Sequence, residues 1–141
     1  MKDLIRQFRR HSVAIISLVV ALSSLTYNTW RNEQTEANRN VRTAGIELLL
    51  ALGELERIVF FSHYDQDEIR GNPRAGWSYA LTIVDLASLT AEPAASSSEE
   101  LLAVWGEHWS GLGTEDQSAA AVSASIDQLR SDTLSVLVAL D

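Results

Sequence analysis

Histidines are the first residues to test for chemistry, because the 141-residue chain has no cysteine. Without a thiol there is no disulfide, no thiolate metal site and no cysteine nucleophile. His63 opens the run His63-Tyr64-Asp65, with Asp67 and Glu68 close behind. Imidazole with several carboxylates is a donor set for a divalent cation. The spacing argues against one: after Asp65-x-Asp67 come Ile69 and Arg70, where a calcium loop would continue with oxygen ligands. A histidine near a helix carboxyl end is also favoured by the helix dipole alone. His108 follows Glu107 and stands between Trp105 and Trp109, the setting of a packed histidine. No Glu-x-x-His pair of the di-iron bundle type occurs.

The serines are many, but none stands in Gly-x-Ser-x-Gly or has a spaced histidine and acid that would make a triad. Phosphate loops and dinucleotide fingerprints are also missing. The expectation is a non-enzyme with no metal and no cofactor. What remains is binding. Trp77, Trp105 and Trp109 either fill a core or line a groove for a ligand or a partner's side chain. The Trp105–Trp109 spacing places that pair on one helix face and favours the core. Arg70 and Arg74 flank the turn before Trp77 and suit a carboxylate ligand, with local pairing to Asp65, Asp67 or Glu68 as the competing use.

Charge separates a head from a body. Residues 1–11 hold Lys2, Arg6, Arg9 and Arg10 against Asp3, a net +3 within a chain of −8, so the remainder carries −11. Seven scattered arginines are the only strong bases after residue 11. Nucleic-acid binding needs a concentrated basic face, so it is excluded as an expectation.

Ser12 to Tyr27 contains no charged residue. The twenty residues between Arg10 and Arg31 would, as a helix rising about 1.5 Å per residue, cover roughly 30 Å, the thickness of a bilayer core. Arg9 and Arg10 close one end; Tyr27, Trp30 and Arg31 close the other as interface anchors. Basic residues at the amino end predict a cytoplasmic head and a periplasmic or extracellular body. A cleaved secretory signal is the rival, with Ala21-Leu22-Ser23 as a small-x-small site. The anchor is favoured because the apolar pattern continues past Ser23 to Trp30. A buried core helix gives the basic flank and aromatic end no role. Ala14, Ser17, Ala21, Ser24 and Asn28 share one helix face, a seam for a helix of an integral membrane protein or of a second copy. The competing reading is that small residues are common in spans and serine bonds back to its own helix.

Beyond Trp30, residues 31–42 are polar and free of glycine and proline, which predicts a helical stalk rather than a loose linker. Val41, Gly45, Leu48, Leu52, Leu55, Val59 and Ser62 repeat four and three, a buried helical seam. Gly71-Asn72-Pro73 punctuates, and a second helix reads from about Arg74 to Thr90 with Trp77, Leu81, Val84 and Ala87 or Ser88 inward. Ser97-x-x-Glu100 reads as a capping box opening a third helix to about Leu112. Thr114-x-x-Gln117 opens a fourth to about Leu140, with Val122, Ile126, Leu129, Thr133, Val136 and Leu140 inward. The fold expected is all-α: a basic cytoplasmic head (1–11), a transmembrane helix (12–30), a stalk (31–42), and an extracytoplasmic antiparallel four-helix bundle (43–141) continuous with the span.

The run Tyr27-Asn28-Thr29-Trp30-Arg31-Asn32-Glu33-Gln34-Thr35-Glu36 resembles the juxtamembrane stretch of small uncharacterised single-span bacterial membrane proteins. The layout is similar to the input half of bacterial chemoreceptors and sensor kinases. It departs from them at Asp141, with no second span and no output domain, so autonomous signalling is not expected. The function expected is that of a non-catalytic accessory or structural subunit of a bacterial inner-membrane complex, in contact with membrane lipid. The alternative is an extracytoplasmic sensor bundle that signals through a membrane partner.

Overall fold

The computed structural model describes the backbone of residues 2–140 and the side chains of residues 12–140. It is all-helical, with no strand among the described residues. The elements are α1 (Lys2–His63), α2 (Pro73–Ala87), α3 (Ala94–His108), a 3₁₀ turn (Trp109–Gly111) and α4 (Asp116–Ala139). The chain divides into two compact units, Met1–Asn38 and Arg39–Asp141.

The second unit holds the core. α1 contributes Leu48, Leu52, Leu55, Ile58 and Val59; α2 contributes Ala80, Ile83 and Ala87. From α3 come Ala94, Leu101 and Trp105, and from α4 Ala119, Val122, Ile126, Leu129 and Val136. Fully burying a Leu, Ile or Val side chain contributes about 1.5–3 kcal/mol, so this cluster is the main favourable term. The four-three row of α1 is buried as its spacing requires, with only Val41 partly exposed. Polar ties lock the helices in register. Arg130 of α4 donates to Glu56 of α1 at 2.6 Å and to Asp127 at 2.6 Å. Leu137 of α4 packs where a side chain at Gly45 of α1 would stand. The Ser97 hydroxyl of α3 donates to Asp132 of α4, which also accepts from Gln128 at 3.0 Å.

Three expectations are corrected. The inward face of α2 is Gly76, Ala80, Ile83 and Ala87, offset from the row expected; Leu81 is 51% exposed and Trp77 only partly covered. Small residues face inward because Trp105 needs the room: a Cβ at Gly76 would lie 2.2 Å from its ring. Second, α3 starts at Ala94, and Ser97 lies inside it rather than capping it. The N-cap position is Pro93, and the Glu92 carboxylate just before it accepts from the Ser96 N–H at 3.2 Å and the Ser96 hydroxyl at 2.7 Å. Third, α4 is capped at Glu115 rather than Thr114. The Glu115 carboxylate accepts from the Ser118 hydroxyl at 2.7 Å, a link one residue later than the box expected.

The turn between α1 and α2 is built by side chains. Gln66 adopts φ 51°, the left-handed region. Its amide donates to the Ser62, His63 and Gly113 carbonyls, which satisfies carbonyls left open at the end of α1 and ties them to the loop before α4. Asp67 accepts from the Ile69 and Arg70 backbone N–H groups and from the Arg70 guanidinium at 2.7 Å. That guanidinium lies 4.1 Å from the centre of the Phe61 ring. Gly71 is required by close approach, since a Cβ there would stand 2.2 Å from the Ser62 backbone nitrogen. Asn72 then caps α2 through the Arg74 N–H at 3.0 Å, with Pro73 in the first helical position.

Candidate functional sites: an exposed apolar helix and a polar cleft

The first unit is one helix with its apolar side chains uncovered. Val13, Ile15, Ile16, Leu18, Val19, Val20, Leu22 and Leu25 are all more than half exposed. The most apolar stretch of the helix is long and apolar enough to cross a membrane, and none of it is buried. Soluble monomers rarely expose a contiguous apolar patch beyond a few hundred Å². Ala14, Ser17, Ala21, Ser24 and Asn28 are all exposed. The Ser17 hydroxyl donates to the Val13 carbonyl at 2.8 Å. Thr26 and Thr29 do the same to Leu22 and Leu25. Back-bonding of this kind satisfies each hydroxyl proton in an apolar setting and leaves oxygen lone pairs to accept from a neighbour.

Arg9 and Arg10 lie outside the residues whose side chains are described. Tyr27 and Trp30 are 58% and 57% exposed, their rings 6.2 Å apart. With Leu22, Ser23 and Thr26 they make one exposed, mostly apolar stretch of the helix surface. Arg31 is exposed beside them.

In the second unit the tryptophans separate. Trp105 is fully buried, and its indole N–H has no partner. Trp77 and Trp109 are partly buried and meet edge to face at 6.2 Å. The Trp77 ring lies beside Gly106, 3.6 Å from where a Cβ would be.

The histidines are engaged structurally. His63 Nδ1 lies 3.0 Å from the Leu112 carbonyl, which only accepts, so Nδ1 donates. Its Nε2 lies 3.4 Å from Asp116. His108 Nδ1 is 3.1 Å from the Ser118 hydroxyl. Ser118 sends its own proton to Glu115, so His108 is the donor to it. A nucleophilic serine gives its proton to histidine; here the order is inverted and the serine is buried. Asp67 is committed to its turn, and the N–H and guanidinium of Arg70 hold its carboxyl below the ordinary value. Among the described residues no three acidic, His or Cys side chains group to hold a metal ion.

A polar cleft of about 600 Å³ opens beside the α1–α2 turn. Its walls include Ser62, Gln66, Glu68, Asn72, Arg74 and Ser110. Of these the sequence singled out Arg74 as a ligand contact and Glu68 as a metal donor or arginine partner. Ser62 read as a core position, and Gln66 carried no signal beyond its place between two helices.

No protein-family model matches the chain, and neither a curated protein nor a solved structure shows significant similarity to it.

Proposed function

We propose that this chain is a single-span, non-catalytic accessory subunit of a protein complex in the inner membrane of a bacterium. Residues 12–30 cross the lipid, with the basic head in the cytoplasm and the acidic helical unit on the opposite side. The face carrying Ala14, Ser17, Ala21, Ser24 and Asn28 packs on a transmembrane helix of an integral membrane partner or of a second copy. The four helical segments of residues 43–141 form an antiparallel bundle, supported by the order of contacts: Gly45 with Leu137, Glu56 with Arg130, His63 with Leu112.

One observation carries this reading: an apolar helical surface with none of its most apolar stretch buried, in a chain whose other unit has a complete core of its own. Two such features fit a protein that folds on one side of a membrane and is held there. Small residues on the span allow close backbone approach, which is how helices associate where lipid removes the hydrophobic drive. The test is co-purification after gentle detergent extraction. Ala21→Leu and Ser17→Leu are expected to lose the partner while circular dichroism of the extracted protein stays unchanged. Retention of the partner by both variants would overturn the seam.

A further inference from the structure

We propose that two copies of this chain pair along the outward face of α1. The face lies wholly within the second unit, and the inference does not depend on how residues 12–30 are used. It starts from a helix that is apolar on two opposite sides. Leu48, Leu52, Leu55 and Val59 belong to the core. Ile46, Leu50, Gly53, Arg57, Phe60 and Tyr64 also recur at four and three residues. Each stands two positions from a residue of the buried row, about 200° round the helix, so this second row points away from the core. Ile46, Leu50, Phe60 and Tyr64 are 51%, 68%, 49% and 70% exposed. The Phe60 and Tyr64 rings lie 5.3 Å apart and present one aromatic surface. One apolar stripe serves one core; a second stripe at the same spacing is the pattern of a helix with two neighbours.

Gly53 is independent evidence. It stands between Leu50 and Phe60 in the interior of α1, where a glycine costs about 1 kcal/mol against alanine. At Gly45 and Gly76 the room is taken by a side chain of the same chain, Leu137 and Trp105. At Gly53 the fold of one chain gives no such reason, since a Cβ there would meet nothing within 4 Å. A missing side chain inside an exposed apolar row lets the backbone of a helix from outside come close.

Area and charge both assign that helix to a second copy. A fully exposed large side chain offers roughly 200 Å². At their exposures Ile46, Leu50, Phe60 and Tyr64 supply roughly 500 Å² per copy, so a pair buries about 1,000 Å², the size at which specific contacts begin. A two-fold contact must also be complementary to itself. The one charge in the row, Arg57, holds Glu54 on the edge of the row at 3.1 Å. A face that carries both signs side by side matches its own copy, with each Arg57 reaching the other's Glu54. A partner of one sign leaves Arg57 or Glu54 unmatched.

The experiment is sedimentation equilibrium of the full chain in detergent micelles, carried out on the Ala21→Leu variant so that the small-residue face of the span contributes nothing. A dimer that dissociates on dilution is expected. Leu50→Glu places like charges across the two-fold axis and should raise Kd at least tenfold; Leu50 is exposed, so the variant keeps the fold, with circular dichroism as the check. Asp85→Lys, on an exposed position of α2, should leave Kd unchanged. Because the chain has no cysteine, Gly53→Cys and Asp85→Cys each carry a single thiol. With a short bismaleimide in native membranes, Gly53→Cys is expected to give a covalent dimer and Asp85→Cys none. The proposal is overturned if the chain is monomeric at every concentration, if Leu50→Glu associates like its parent, or if Gly53→Cys links to a different protein instead of its own copy.

Discussion

Gly76→Ala tests the packing that organises the helical unit. Two effects oppose each other. Alanine is the better helix former by about 1 kcal/mol, and Gly76 lies inside α2. Against this, its Cβ would stand 2.2 Å from Trp105 Cζ2 and 2.4 Å from Cη2. Carbon atoms rest at about 3.5–4.0 Å, so the overlap exceeds ~1 Å at two positions. Trp105 has no exposed surface, so the ring cannot swing into solvent to relieve it. Overpacking costs about 1–3 kcal/mol, and an overlap this deep with a rigid ring belongs at the top of that range. The net is a loss of about 2 kcal/mol, or roughly 10 °C in Tm for a domain of this size. The assay is urea unfolding followed by far-ultraviolet circular dichroism. Trp105→Phe removes the two overlapping carbons, so the double variant should recover about 2 kcal/mol relative to additivity. Gly53→Ala is the control. Nothing lies within 4 Å of its Cβ, so it should be neutral or stabilise by up to about 1 kcal/mol. If Gly76→Ala were as stable as the parent, or strictly additive with Trp105→Phe, the helix packing described here would be wrong.

Two further outcomes follow from the polar ties. Asp132 sits below the ordinary carboxyl pKa because of the Ser97 hydroxyl and then the Gln128 amide, and Asp67 because of Arg70. Their stabilisation is complete above the unfolded value of about 3.9 and is lost as pH falls through the lower folded value, so Asp132→Asn should flatten the acid limb of a Tm-against-pH curve. Arg130 bridges Glu56 and Asp127 from a side chain 31% exposed, so Arg130→Ala should cost about 0.5–1 kcal/mol at low salt and less at 1 M NaCl, read by urea titration.

What the sequence made legible was whatever repeats along one helix. The row from Gly45 to Ser62 and the row from Val122 to Val136 were readable because a buried face recurs every three or four residues. The α2 face was missed because Trp77 and Leu81 are bulky and look inward, while the residues that face inward there are small. Their smallness is a response to Trp105 on another helix, which no local pattern displays. The capping boxes failed for a related reason. Ser97 has the composition of a cap, but its hydroxyl goes to Asp132 across the helix interface. The cleft was the least legible feature. Ser62, Gln66 and Arg74 flank one turn, but Ser110 comes from the far end of α3, and the turn closes as it does because Gln66 takes a left-handed conformation and Gly71 lets the chain pass against α1. Nothing in the sequence marks Ser110 as their neighbour. The apolar segment was the most legible, since charge, length and aromatic ends all lie in one window.

The absence of cysteine makes the central claim, that residues 12–30 cross a membrane, directly measurable. Asp65→Cys and Lys2→Cys each place one thiol in an otherwise thiol-free chain. The measurement is labelling of intact spheroplasts with a membrane-impermeant maleimide, before and after permeabilisation. The account predicts that Asp65→Cys labels at once and Lys2→Cys only after the membrane is opened. Equal labelling of both from outside, or recovery of the chain in the soluble fraction, would contradict it.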